Sequence, residues 1–300
     1  MLWQRLTPLY DAGEAKAIVR MVLEEHFGFS YTDIACGKEN SLSADQRAEL
    51  DEIMQRLEEA EPVQYILGDC RFCGRTFHVE PGVLIPRPET EELVHWVLET
   101  HGKNEHVKAN QKHILDIGTG SGCIAISLAL ALEQADVEAW DISEDALRIA
   151  ACNARQLGAR VTFFQQDILH FEINPLTAQR LTETSTKRLS TNGAQDGPYS
   201  IIISNPPYIC DNERHKMEAN VLAYEPEQAL FVPDNDPLLF YRAIARFAME
   251  SLESSGELYF EINPLYAQEL SGMLSSRGFQ HITIRKDQFG KERMIKAIRP

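Results

Sequence analysis

The chain has 300 residues, with 29 basic and 45 acidic side chains and a formal net charge of −16 at pH 7. Proteins that hold nucleic acid by neutralising phosphates need the opposite balance, so we expect no direct nucleic-acid binding. The length exceeds a typical domain of about 100 to 200 residues and predicts two domains. No apolar run approaches the roughly 18 residues of a membrane span, and the N-terminus lacks a signal-peptide core. We therefore expect a soluble, cytoplasmic protein without a membrane partner.

Cysteine usage fits an intracellular chain. Six cysteines are scattered over the sequence, which predicts reduced thiols. Cys70 and Cys73 form the only close pair, without the second pair of a zinc site or the setting of a redox motif. The histidines show no ligand spacing, so we expect no metal.

The first third of the chain predicts a small helical domain and a link. Helical periodicity covers residues 13–27 and 43–60, the second stretch opening with a serine-type cap, and indicates an all-helical domain over 1–64. Residues 65–88 alternate short β-like pieces with glycines and Pro81-Gly82, which predicts a β-hairpin linker. Strands and helices alternate over 89–300, the pattern of an α/β domain.

A glycine-rich turn follows the apolar segment 113–117 and precedes a helix-like stretch, 123–132. Glycines permit positive φ and close backbone approach, and a helix N-terminus offers free N–H groups, so a nucleotide-like cofactor is expected here. The glycine spacing departs from the G-x-G-x-x-G dinucleotide pattern. The predicted cofactor-binding residues of this turn are Gly118, Thr119, Gly120, Ser121 and Gly122.

Two further strands are predicted to end in carboxylates. Val137–Trp140 runs into Asp141, which lies 19 positions after Gly122 and is expected to bind ribose hydroxyls. Residues 161–165 lead to Asp167 and Ile168, which suit the amino group and ring face of an adenine. A simple turn-capping role for Asp167 is equally compatible with its position.

The tetrapeptide Asn205-Pro206-Pro207-Tyr208 directly follows the apolar run 201–203 and Ser204. Consecutive prolines cannot continue a sheet ladder, so the strand should end here and present oxygen acceptors and an aromatic ring to a cleft. We predict substrate binding by all four residues, catalytic roles for Asn205, Pro206 and Tyr208, and a cofactor contact for Asn205. A proline-rich turn is the alternative, but ligands of open α/β sheets bind at such strand ends, and four successive ones carry suitable residues.

Together these motifs resemble the class I S-adenosylmethionine-dependent methyltransferases. The link Ile85-Pro86-Arg87-Pro88-Glu89-Thr90-Glu91 and the segment Tyr224-Glu225-Pro226 extend the resemblance over nearly the whole chain, to the HemK-type protein-(glutamine-N5) methyltransferases. This resemblance implies a seven-stranded Rossmann-like sheet whose last strand is antiparallel. It also implies S-adenosylmethionine as methyl donor, S-adenosylhomocysteine as product, and the glutamine of the Gly-Gly-Gln motif in peptide-chain release factors as substrate.

Some features leave alternatives open. Arg87, predicted to bind substrate, could instead pin the link through an ion pair, and Thr90 shares this uncertainty. We predict a surface insertion at about residues 172–199. Asn263 stands where relatives commonly carry glycine. The alternative function is N6-adenine or N2-guanine methylation of DNA or RNA, which uses a similar tetrapeptide on a flipped base. A third alternative is a non-enzymatic scaffold, in which the tetrapeptide would have no catalytic role.

Overall fold

The computed structural model describes residues 1–102, 112–171 and 199–300. Its N-terminal part is helical, as predicted. The helices are α1 (Ala12–Met21), α2 (Tyr31–Ala35), α3 (Ala44–Glu58) and α4 (Val63–Leu67), with short 3-10 turns at Leu2–Leu6 and Lys38–Ser41. After α1 the chain continues as a π-helical turn, Val22–His26, within the stretch predicted as one helix. Ser43 caps α3 by accepting a hydrogen bond from the Gln46 N–H.

The N-terminal helices enclose their own apolar core. Its largest fully buried side chains are Leu6, Leu23, Met54 and Leu57. Helix α3 contributes four buried positions, Leu50, Ile53, Met54 and Leu57, at the spacing of one helix face. This separate core supports a distinct N-terminal unit, although the boundaries at residues 64 and 88 stay predictions.

A hairpin follows, formed by strands β1 (Asp69–Phe72) and β2 (Arg75–His78). Phe72 and Phe77 are fully buried and join the core beneath the main sheet. The Asn153 side chain accepts from the His78 N–H and donates to the carbonyls of His78 and Ser121. One buried amide therefore ties the hairpin to the glycine-rich turn.

Seven of the described strands form one sheet in the order β10-β11-β9-β6-β3-β4-β5. Their bounds are β3 (His113–Ile117), β4 (Asp136–Asp141), β5 (Thr162–Gln165), β6 (Tyr199–Ser204), β9 (Leu252–Glu261), β10 (Gln280–Lys286) and β11 (Glu292–Ile298). The pairs among β5, β4, β3, β6 and β9 are parallel, and β11 runs antiparallel between β9 and β10. The predicted fold class is confirmed. The short strands β7 (Ile209–Cys210) and β8 (Phe231–Val232) pair outside this sheet.

Helices cover both sheet faces, which explains why the central strands read as continuous apolar runs. Ile201 and Ile203 face one of these helix layers, while Ile202 between them faces the other. The remaining helices are α5 (Pro88–His101), α6 (Cys123–Ala131), α7 (Glu144–Leu157), α8 (Ala219–Tyr224), α9 (Leu239–Ser251) and α10 (Ala267–Ser276), with 3-10 turns at Asp211–Lys216, Glu227–Ala229 and Pro264–Tyr266. Among the described residues, no helix is both long and apolar enough to cross a bilayer.

Strand β9 begins at Leu252, directly after α9 ends at Ser251. The predicted insertion, about 172–199, lies outside the described residues except for Tyr199, which begins β6.

Candidate active site

The topology gathers the predicted residues at one edge of the sheet. The chain passes from β3 to β4 and β5 on one side and then returns to place β6 on the other side of β3. Such a reversal opens a crevice outside the carboxyl ends of the strands. The glycine-rich turn, Asp141, Asn205 and Glu261 follow or end four of these parallel strands, so they lie along the same edge of the sheet.

The glycines of the turn divide into two kinds. Gly118 and Gly120 have φ of 77° and 54°, border a cavity of about 210 Å³, and have open space where a Cβ would stand. Gly122 packs inward instead, since a Cβ there would meet Ile126 Cδ1 at 2.8 Å. Thr119 and Ser121 are buried and do not border the cavity.

Beneath the turn lies Asp116, a fully buried carboxylate that the sequence analysis did not single out. Its Oδ2 accepts from the Thr119 hydroxyl at 2.6 Å and the Ala125 N–H at 3.3 Å. Burial raises the pKa of Asp116 to about 7. Asp116 therefore braces the turn against the first residues of α6. A carboxylate two positions before the first glycine of the turn is a signal that could have found it.

Asp141, Asp167 and Ile168 border the same cavity. Each oxygen of Asp141 accepts one backbone N–H, from Gly120 at 2.8 Å and Ser143 at 2.9 Å, which leaves further lone pairs for ligand hydroxyls. Burial raises the pKa of Asp141. Asp167 accepts from the Leu169 N–H and contacts His170, so the capping role weighed for it is present.

Asn205 and Pro206 separate two cavities. The first is the one bordered by Gly118 and Asp141. The second, of about 480 Å³, is bordered by Tyr208, Arg87, Glu89 and Glu261. Both cavities share Asn205 and Pro206, so a group on either side reaches the same two residues, and Pro207 faces the first cavity.

A hydrogen-bonded chain lies behind Asn205. Its Nδ2 donates to Thr90 Oγ1 at 3.1 Å, and the Thr90 hydroxyl donates to Glu261 Oε2 at 2.6 Å. The Tyr208 hydroxyl donates to Glu261 Oε1 at 2.9 Å. Burial raises the pKa of Tyr208 well above its usual range, so its hydroxyl keeps the proton it donates. Sequence reasoning missed Glu261, because nothing local marks a glutamate that ends a strand.

Arg87 forms an ion pair with Glu225, whose side chain is 1% exposed. Glu225 also accepts from the Ile85 N–H at 3.2 Å. The linker is thus fastened to the loop after α8, which is the structural role weighed for Arg87. Arg87 also borders the second cavity, so substrate contact stays a prediction.

Asn263 has a defined function in its turn. Its Oδ1 accepts from the Leu265 N–H, and its Nδ2 donates to the Tyr208 carbonyl at 3.1 Å and Glu213 Oε2 at 2.9 Å. The side chain therefore holds the backbone after the tetrapeptide. Within the described ranges, no group of three or more His, Cys, Asp or Glu side chains is placed to hold a metal ion.

Comparison with known proteins assigns the chain to a family. A PrmC N-terminal domain model matches residues 4–68, and a methyltransferase domain model matches residues 108–184. A release factor glutamine methyltransferase of Bacteroides thetaiotaomicron is 45% identical over 99% of this chain and 97% of its own length. One from Flavobacterium psychrophilum is 40% identical over 98% and 95%.

A solved structure supports the fold. The 16S rRNA N2 G1207 methyltransferase of T. thermophilus, crystallised with AdoMet and guanosine, gives a TM-score of 0.50 at 17% identity, over 77% of this chain and 50% of that one. At this identity the likeness concerns the fold alone. The near-complete coverage by relatives of 40% identity or more shows that the chain belongs to the release factor glutamine methyltransferase family.

Proposed function

We propose that this protein transfers a methyl group from S-adenosylmethionine to the side-chain amide nitrogen of the glutamine in the Gly-Gly-Gln motif of peptide-chain release factors. The observation that carries the proposal is the meeting of two cavities at Asn205 and Pro206. One cavity suits a nucleoside-containing donor, and the other suits a flat carboxamide.

The residues of the first cavity fit the donor. Gly118 and Gly120 leave room for close approach, and the Asp141 carboxylate keeps lone pairs for ribose hydroxyls. Ile168 offers an apolar face for the adenine ring, and Asp167 offers a carboxylate for its amino group. When bound, the donor supplies a methyl group activated by its sulfonium. Thr119, Ser121 and Gly122 would serve this site indirectly, through the shape of the turn.

The residues between the cavities fit the acceptor chemistry. An amide nitrogen is a poor nucleophile because its lone pair is conjugated with the carbonyl. The Asn205 Oδ1 and the Pro206 carbonyl would each accept one N–H of the substrate amide. This aims the nitrogen at the methyl group and stabilises the positive charge that develops on it.

Tyr208 completes the acceptor side. Its hydroxyl is held by Glu261 and its ring packs against the main core, so the ring forms a fixed wall of the second cavity. A planar carboxamide would stack on this wall with Arg87 at its border, whereas Pro207 faces the donor cavity.

The partner follows from the family. Relatives named for release factor glutamine methylation cover nearly the whole chain, including its N-terminal unit, which we propose contacts the protein substrate. A net charge of −16 opposes nucleic-acid binding. A translation factor as substrate would place the activity in the cytoplasm.

The test is a competition for label. The protein is incubated with S-adenosylmethionine labelled in its methyl group, together with an unmodified release factor, duplex DNA and total RNA. We expect label in the release factor alone. Label in either nucleic acid, with none in the release factor, would replace the proposal by base methylation.

A further inference from the structure

We propose that Thr90 and Glu261 are positioning residues that determine which way round the Asn205 carboxamide faces. This inference rests on the proposed function and explains how the Asn205 Oδ1 is held facing the substrate. The carboxamide of asparagine has two nearly isosteric orientations, with oxygen and nitrogen exchanged. Only one of them offers an acceptor to the substrate amide.

The direction of the hydrogen bonds selects that orientation. The Thr90 hydroxyl has a single hydrogen and donates it to Glu261 Oε2, with 2.6 Å between the two oxygen atoms. Toward Asn205 the hydroxyl therefore presents only a lone pair, which the Asn205 Nδ2 fills from 3.1 Å. The flipped amide would bring Oδ1 against Oγ1, two acceptors without a hydrogen between them. Within the described parts of the chain no group donates to Asn205 Oδ1, which leaves that oxygen for a substrate.

Glu261 determines which group donates in each of these hydrogen bonds. It is 2% exposed at the end of β9, and a carboxylate there costs folding free energy unless its oxygens are well bonded. Burial raises the pKa of Glu261, while the hydroxyls of Thr90 and Tyr208 and the charge of Arg293 favour its ionised form. In that form both oxygens are acceptors, and each receives one of the two hydroxyls. One buried side chain thereby fixes the acceptor amide and the aromatic wall together.

A pair of variants at Thr90 separates positioning from simple packing. Thr90→Val keeps the shape and removes the hydroxyl, whereas Thr90→Ser keeps the hydroxyl. Thr100 provides the matched control, because it lies on the same helix, borders neither cavity, and its hydroxyl donates to the Trp96 carbonyl. All variants are compared in kcat, in KM for the release factor, in Kd for S-adenosylmethionine and in thermal midpoint.

We expect Thr90→Val to lower kcat by about 10- to 100-fold, as for a mispositioned hydrogen-bonding group. Its KM and Kd should stay within about threefold, because the lost interaction acts in the transition state. Thr90→Ser and Thr100→Val should both keep kcat within about threefold of the wild type.

A second variant keeps the test decisive if Thr90→Val folds poorly. Glu261→Gln has one acceptor and one donor group, so it cannot receive both hydroxyls, and kcat should fall with little change in KM. Both variants interrupt the same series of hydrogen bonds. The decrease in kcat of the double variant should therefore be far smaller than the product of the two single decreases.

The positioning role is overturned if an active wild type is matched in kcat by Thr90→Val, or if Thr90→Ser loses as much as Thr90→Val. A wild type that transfers no methyl group to a release factor overturns the proposed function instead, so the two failures are distinguishable.

Discussion

At the scale of single residues, the difficulty is the low reactivity of a carboxamide nitrogen. No side-chain base can usefully remove its proton near neutral pH, so geometry has to replace basicity. The structure places Asn205 and Pro206 between two cavities, and we propose their oxygens as two fixed acceptors. Fixed acceptors need no reorganisation as charge develops, which is why they are effective.

Asn205→Ala removes one of the two acceptors without altering the wall of the first cavity elsewhere. We expect kcat to fall by at least about 100-fold, while the Kd for S-adenosylmethionine changes by no more than about threefold. Single-turnover methylation and calorimetric titration measure the two quantities. Unchanged single-turnover rates would contradict the role of Asn205.

Local sequence was enough to predict the tetrapeptide, since consecutive prolines after an apolar run restrict the backbone whatever surrounds them. It was not enough to predict Glu261, or that Thr90 connects Glu261 to Asn205. Thr90 lies 115 positions from Asn205 and 171 from Glu261, so their hydrogen bonds exist only once β6 and β9 pair and α5 packs on them. Such partners carry no local signal.

At the scale of elements, the glycine-rich turn joins β3 to α6 and has two faces, one toward the cavity and one toward the core. The pattern of glycines predicted the turn but not which glycine faces which way. That division depends on where Ile126 and Ala150 pack, which is set by the contact of α6 with α7.

Two alanine variants separate these faces. Gly122→Ala combines a φ of 82° with a Cβ contact of 2.8 Å to Ile126, and we expect it to lower the free energy of unfolding by about 2 to 4 kcal/mol. Gly118→Ala meets open space, so it should cost only about 1 to 2 kcal/mol of backbone strain. Its methyl group would stand in the cavity and raise the Kd for S-adenosylmethionine by about tenfold or more.

Denaturant titration and cofactor titration of both variants check this division. It fails if Gly122→Ala is the more stable variant, or if Gly118→Ala binds S-adenosylmethionine as tightly as the wild type.

Glu257 links three elements. It contacts His101 of α5 at 2.7 Å and Lys296 of β11 at 3.3 Å, and it accepts from Tyr259 within β9. Burial raises the pKa of Glu257, but the hydrogen bonds from His101 and Tyr259 outweigh it and bring the pKa down from 4.5 to about 2. A carboxyl whose folded pKa is depressed stabilises the fold above its unfolded pKa and loses that contribution as the pH falls through its folded pKa.

The contribution of Glu257 should therefore be complete above pH 4.5 and vanish as the pH falls toward 2. Glu257→Gln should lower the free energy of unfolding at pH 7 by about 1 to 3 kcal/mol and flatten its decline in acid. Glu250→Gln, at an exposed position of α9, is the control. Equal acid profiles for wild type and Glu257→Gln would exclude this linkage.

At the scale of the whole molecule, the linker joins the helical unit to the catalytic sheet and runs past the second cavity. The Arg87–Glu225 pair fastens it, and the Tyr224 hydroxyl donates to the Glu59 carbonyl of the N-terminal unit at 3.0 Å. The end of α8 and the loop after it are thus held against both the linker and the N-terminal unit.

Arg87→Met leaves the buried Glu225 carboxylate without its cation. We expect it to lower the free energy of unfolding by about 1 to 3 kcal/mol, a moderate value because the Arg87 side chain is 33% exposed. Adding Glu225→Gln removes the unpaired charge while keeping an acceptor for the Ile85 N–H, and should recover more than half of the loss. Denaturant unfolding of the single and double variants tests this, and simple additivity would contradict it.

Mass spectrometry of a release factor, after incubation with this protein and S-adenosylmethionine, should find a single added methyl group on the glutamine side chain of the Gly-Gly-Gln motif. A release factor with glutamate at that position should gain none. A methyl group on any other residue, or no methylated release factor at all, would contradict the account.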